Sequence, residues 1–162
     1  MRQEMPKKSK LVQKARKAKT IRQVAAVPCR LNGAGAAEVM LVTSRGTQRF
    51  IIPKGWPMKG KSEPKVAAIE ARQEAGVTGE VLPDPIGRYS YWKRLADCFV
   101  PVEVTVYVVR VTSVAAKWEE QAARRRAWLG IEDAVMLIDE PELAAIIERV
   151  DFPALLQAGE TA

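Results

Sequence analysis

The stretch "PKGWPMKGKSEPKVAAIEARQEAGVTG", Pro53 to Gly79, runs from a loop rich in glycine and proline into a helical pattern and out through another glycine. Ser62 stands where an N-cap is expected, Pro64 falls in the first turn, and Gly76 follows the last periodic residue, so the sequence predicts a helix over residues 63–75. With residues spaced about 100° apart and Val66 as origin, Glu70, Glu63 and Glu74 fall at about 40°, 60° and 80°. Pro64, Ala68, Ala71 and Ala75 lie between about 140° and 200°, a face of small residues that can approach a sheet closely. The helix therefore offers one face for packing and one for chemistry. Like charges four residues apart are unfavourable, so Glu70 and Glu74 form either a solvated acidic face or a pair sharing a cation. Oxygen-only ligands point to Mg²⁺ or Mn²⁺.

Outward from this helix the chain alternates strands and helices. "IRQVAAVPCRL" and "EVMLVTS" read as two strands joined by the turn "NGAGAA", and a short strand at "QRFII" leads into the loop. "GEVLPDPIGRYSYWKR" reads as strand and turn, and the valine-rich "VPVEVTVYVVRV" is the strongest strand pattern. "EEQAARRRAWLG" reads as a polar connection ending in a short strand, followed by helices at "IEDAVMLI" and "PELAAIIERV". The expected fold is α+β, a mixed β-sheet between helices. Strand alternation sends neighbours in "RRR", Arg124 to Arg126, to opposite faces, with one or two facing solvent.

Composition bounds the chemistry. The 162 residues are 48% apolar, enough for one domain with a core, and contain no histidine, which excludes Ser-His and Cys-His catalysis and imidazole ligation. Cys29 and Cys98 form neither a CxxC pair nor a zinc set and read as buried or incidental thiols. The net charge of +7 is concentrated at one end: residues 1–22 hold nine Lys/Arg against Glu4, leaving 17 basic and 18 acidic side chains elsewhere. That tail is either a solvated, partly helical extension, the favoured reading, or a contact for nucleic acid or an anionic surface. No apolar run reaches the roughly 18 residues that span a bilayer and no signal core follows the basic residues, so no membrane and a cytoplasmic location are expected. The expected organisation is a basic tail over residues 1–20, a domain over 21–155 and a C-terminal tail over 156–162; the sequence is silent on oligomeric state.

"GWPMKGKSEPKVAAIEARQEAGV", Gly55 to Val77, resembles the Nudix box, G-x5-E-x7-R-E-U-x-E-E-x-G-U with U aliphatic, in length and end points. "TSRGTQRFIIPKGWPMKG" and "RRRAWLGIEDAVMLIDEPELAAII" are similar to flanking segments of the subgroup containing diphosphoinositol polyphosphate and diadenosine polyphosphate hydrolases. The similarity covers about residues 20–150. It implies an α/β/α sandwich, a divalent metal, and hydrolysis of a pyrophosphate bond in an anionic small molecule, a nucleotide or an inositol pyrophosphate.

Gly55, Glu70, Ala71, Glu74, Gly76 and Val77 fit the box, whereas Lys61, Ile69 and Gln73 stand where glutamate, arginine and glutamate are expected. Glu63 is a candidate substitute for the first. Glu70 and Glu74 are the implied metal ligands and catalytic carboxylates, with Glu120 a candidate base or an exposed loop residue. Gln73 cannot hold charge on a metal, and a glutamate there would restore a third carboxylate. Arg45, Arg49 and Lys54 are candidate phosphate-binding residues or solvated hairpin charges. With the box degenerate, the alternative to a weakened hydrolase is a binding module for nucleotide, polyphosphate or RNA.

Overall fold

Runs of valine and other apolar residues at alternating positions make two long strands, and these form the spine of the molecule. In the computed structural model, which describes residues 10–13 and 20–158, β1 (Ile21–Leu31) and β7 (Phe99–Val114) run parallel, from Ile21 opposite Val102 to Cys29 opposite Arg110. Each spine strand is shared by two antiparallel partners on its outer edge. β1 pairs first with β4 (Lys54–Gly55) and then with β2 (Ala37–Thr43); β7 pairs first with β6 (Gly87–Arg94) and then with β5 (Val77–Val81). β3 (Phe50–Ile51) and β8 (Arg126–Gly130) flank β2, completing eight strands among the described residues.

Alternation distributes the spine's side chains to two cores. Ala25, Val27, Val104, Val106 and Val108 face one side. There they meet α2 (Ile131–Leu137), α3 (Pro141–Arg149) and α4 (Phe152–Ala158) through Ala134, Leu143, Ile147 and Phe152. Val24, Ala26, Tyr107 and Val109 face the other side, against α1 (Glu63–Glu70) and its continuation. This is the expected mixed sheet between helices.

Three details differ from the sequence reading. Helix α4 was not foreseen, and it crosses the boundary expected at residue 155, with Leu156 buried. Most of the basic tail lies outside the described residues; 10–13 are helical, which a partly helical tail allows, but Leu11 is 2% exposed within the first core, so this part of the tail is not solvated throughout. Ser62 occupies the N-cap of α1 without making a side-chain cap bond. Cys29 is buried and Cys98 half-buried, both free thiols as expected; burial pushes the Cys29 thiol up to about 12, and Arg110 partly opposes that.

Candidate active site

The glycine that opens the loop and the glycine that ends the helix are both fixed by what packs on them. A Cβ at Gly55 would lie 2.2 Å from Glu70 Oε1, so only glycine lets this carboxylate rest against β4. Gly76 has φ +68°, and a Cβ there would also meet Trp118 at 2.7 Å. Between them α1 does not stay α-helical: Ala71–Ala75 form a π-helical turn. Such turns are wider than an α-turn and shift the phase of all side chains within them. The packing face centres on Val66, Ala67, Ala71 and Ala75, with Val66 and Ala67 in place of the expected Pro64 and Ala68, and Glu70 and Glu74 are buried at 5% and 3% exposure instead of lining an open face.

Both carboxyls open onto a cleft of about 500 Å³ lined also by Arg45, Lys54, Trp56, Tyr91, Lys93 and Arg124. Burial, and then a hydrogen bond with Glu70, push Glu74 up to about 8, with the Arg124 guanidinium pulling the other way. With Glu74 raised this far, the Glu70/Glu74 pair holds a proton near neutrality. Burial also lowers Lys54, whose ammonium lies 5.3 Å from the centre of the Tyr91 ring, while Glu74 and Glu140 partly restore it. Burial likewise lowers Lys93, which sits 5.9 Å from the Trp56 ring.

A hard divalent cation fits this donor set. Two buried carboxylate groups already close enough to share a proton would take a dication in its place, and all their donor atoms are oxygen. Among the described residues no group of three or more acidic, cysteine or histidine side chains that could hold a metal ion is assembled, and Glu70 and Glu74 are the two carboxylates that line the cleft.

Glu120 is far from an exposed loop residue. Its side chain is 2% exposed and its Oε1 accepts from Arg45 Nε at 3.1 Å, Arg45 Nη2 at 2.8 Å and Arg124 Nε at 2.9 Å. Arg124 also approaches Glu74 Oε1 at 3.5 Å and donates from Nη1 to the Thr43 carbonyl at 3.0 Å. The arginine run alternates as expected: Arg125 is exposed, while Arg126 stacks 3.8 Å from the Trp118 ring and donates to the Ala75 carbonyl at 2.8 Å. Arg49 does not line the cleft; it donates to Glu140 Oε1 at 2.8 Å and ties the β2–β3 connection to the start of α3.

The other motif carboxylate and its departures lie elsewhere. Glu63 accepts from the Tyr107 hydroxyl at 2.9 Å and is absent from the cleft lining, so it does not join Glu70 and Glu74 there. Gln73 is 3% exposed and lines a different cleft, of about 420 Å³, with Arg72, Lys117 and Trp118. Its Oε1 has no hydrogen-bond partner among the described residues. Neighbours 73 and 74 line two different clefts, a separation that a step of about 100° per residue already allows. Gln23, Trp56, Tyr91 and Lys93 were missed as cleft residues, and Arg124 was offered only as one cation of the arginine run. Period-two spacing in "RYSYWKR" groups Tyr89, Tyr91 and Lys93 on one face, but nothing within a strand says what that face looks onto.

Fold and cleft together define an α/β/α sandwich whose loop–helix motif sets paired carboxylates among cations. Diphosphoinositol polyphosphate phosphohydrolase 3-alpha of Homo sapiens is 35% identical over 121 residues, covering 70% of this chain and 68% of that protein. Nudix hydrolase 16, mitochondrial, of Arabidopsis thaliana is 34% identical over 102 residues, 60% of this chain and 56% of that protein. The chain spans about half the length of the plant relatives it matches. A solved C. elegans Ap4A hydrolase binary complex shares the fold, with TM-score 0.62 at 20% identity over 86% of this chain and 99% of that one. No protein-family model matches the sequence. On its curated relatives, the chain belongs to the Nudix hydrolase family. No helix of the described residues is long and apolar enough to cross a membrane.

Proposed function

We propose that this protein is a metal-dependent pyrophosphohydrolase acting on a nucleoside diphosphate-linked or inositol pyrophosphate substrate. The observation that carries the reading is the buried Glu70/Glu74 pair, at one wall of a cleft that also holds Arg45, Lys54, Lys93 and Arg124. Glu70 and Glu74 would hold Mg²⁺ or Mn²⁺, which supplies Lewis acidity and charge neutralisation at the pyrophosphate. Arg45 and Lys54 meet the phosphate oxygens, the first as a guanidinium fork and the second as a point charge. Arg49 braces the loop that carries Arg45 through its bond to Glu140.

The cations favour a polyphosphate-rich substrate over one held mainly by its base. Lysine ammonium groups already lie over both Trp56 and Tyr91, the aromatic rings of the cleft, so stacking competes with existing contacts. The related human protein is named for diphosphoinositol polyphosphate and the C. elegans structure for Ap4A, and both kinds of molecule are polyanions. Free thiols at Cys29 and Cys98 suit a reducing compartment such as the cytoplasm.

A second reading, a nucleotide- or polyphosphate-binding module with impaired turnover, is favoured by one observation: two motif carboxylates reach the cleft, while Gln73 and Glu63 do not. Phosphate release from a panel of dinucleoside polyphosphates, nucleoside diphosphate sugars and inositol pyrophosphates, with Mg²⁺ or Mn²⁺, separates the two. Metal-dependent release abolished in Glu70→Gln/Glu74→Gln supports the hydrolase. Binding without release across the panel supports the module.

A further inference from the structure

The chain's departure from the motif removes a cation at Ile69, yet the glutamates near the cleft are not left without one. Arg45 comes from the turn after β2 and Arg124 from the segment before β8, 79 residues later in sequence. Three N–H groups of these two guanidiniums converge on a single oxygen, Glu120 Oε1, at 2.8 to 3.1 Å. Glu120 itself is buried and does not line the cleft, whereas both arginines do. Its backbone is anchored as well, the Glu120 amide donating to the Gln73 carbonyl at 3.1 Å.

A general base must reach a water beside the scissile bond and accept its proton. A carboxylate buried behind the cleft wall, with one of its oxygens taking three N–H groups from two guanidiniums, is poorly placed for that. It is well placed to do something else. Arginine side chains carry large rotamer freedom, and a buried acceptor that fixes two of them pre-organises their remaining N–H groups for an anion. We propose that Glu120 is a positioning residue, not the base: it clamps Arg45 and Arg124 into a paired guanidinium site for the phosphate groups of the substrate. Arg124 then links this clamp to Glu74, so that anion and metal sites are held in one register.

Inorganic tripolyphosphate is the probe, because its binding by calorimetry requires no turnover. Only the kinetic arm below rests on the hydrolase reading; if no substrate is hydrolysed that reading fails, and the binding arm still decides the clamp. Glu120→Gln and Arg45→Ala should each weaken tripolyphosphate about tenfold. Because Glu120 acts through the arginines, adding Glu120→Gln to Arg45→Ala should cost less than about threefold more. With any substrate that turns over, KM should rise in Glu120→Gln while kcat falls by less than about threefold. Should Glu120→Gln not fold, Glu120→Asp, which keeps the charge and shortens its reach, goes through the same cycle. The clamp is overturned if wild type does not bind tripolyphosphate, or if Glu120→Gln binds it as well as wild type or better. It is equally overturned if kcat drops about 100-fold or more at unchanged tripolyphosphate affinity, the signature of a base.

Discussion

Binding of a divalent cation should displace the proton shared by Glu70 and Glu74, and the size of that exchange follows from the buried pair. A carboxyl at about 8 is about nine-tenths protonated at pH 7, against almost none in the unfolded chain, where glutamate titrates near 4.5. Its folded-state value is raised, so the metal-free protein is best served below pH 4.5 and loses this contribution as pH climbs towards 8. At about 1.4 kcal/mol per pH unit the interval amounts to about 5 kcal/mol. A dication removes the penalty by neutralising both carboxylates, so its apparent affinity should rise about tenfold per pH unit up to about 8 and level off above. Calorimetry of Mg²⁺ or Mn²⁺ binding at pH 7 in buffers of different ionisation enthalpy should report about one proton released per metal. Urea unfolding in EDTA at pH 6, 7 and 8 should show stability falling with pH in wild type but not in Glu74→Gln, whose amide mimics the protonated acid. Metal binding with no proton release at pH 7, or the same stability slope in Glu74→Gln, would refute the reasoning.

Glu70→Gln/Glu74→Gln should bind Mn²⁺ far more weakly than wild type while staying folded; equal affinity by calorimetry would remove the site. Gly55→Ala forces Glu70 off the β4 backbone and should weaken Mn²⁺ about tenfold, with circular dichroism unchanged. Gln73→Glu should destabilise the fold by about 1–3 kcal/mol in urea, because position 73 is buried away from the Glu70/Glu74 cleft with its Oε1 unpartnered among the described residues, and should not raise turnover. Leu11→Ala should cost about 2–5 kcal/mol, a value near zero being the outcome for a dispensable tail.

Strand content was legible because alternating valines leave little choice of face. "IRQVAAVPCRL" became β1 with those bounds, and "VPVEVTVYVVRV" lies within β7. The ends of the motif helix were legible too, since Gly76 takes the left-handed φ that a C-terminal glycine signals. The phase inside the helix was legible in part. A wheel of constant step placed Glu63, Glu70 and Glu74 on one sector, and Glu70 and Glu74 do share a cleft, but the helix start hands Glu63 to Tyr107 and the π-turn after Glu70 was not foreseen. No local pattern in "ARQEA" distinguishes a π-turn from an α-turn; Trp118, donating to the Glu74 carbonyl at 3.0 Å from 44 residues away, is one of the contacts on that turn. Helix α4 escaped because "FPALLQA" is short and its buried residues, Phe152 and Leu156, find their partners only across the sheet.

The same distinction explains why the broken motif overstates the damage to the cleft. Position by position, Ile69 and Gln73 remove a cation and a carboxylate from one helix, which reads as a weakened site. In space the motif keeps the carboxyls that share a proton, and the rest of the chain brings Arg124 to within 3.5 Å of one of them. Arg124 is itself 8% exposed and bonded on two further sides, to Glu120 and to the Thr43 carbonyl, so it holds its position without help from the helix. Removing one partner from a buried charge network usually leaves an orphan charge costing about 3–5 kcal/mol. Here the motif's arginine and glutamate are both absent, at Ile69 and Gln73, leaving no such charge on the helix, and Arg124, Glu74, Glu120 and Arg45 are paired across segments. Conservation of charge in the folded cleft, not of letters in the motif, is the property that activity in this chain would depend on.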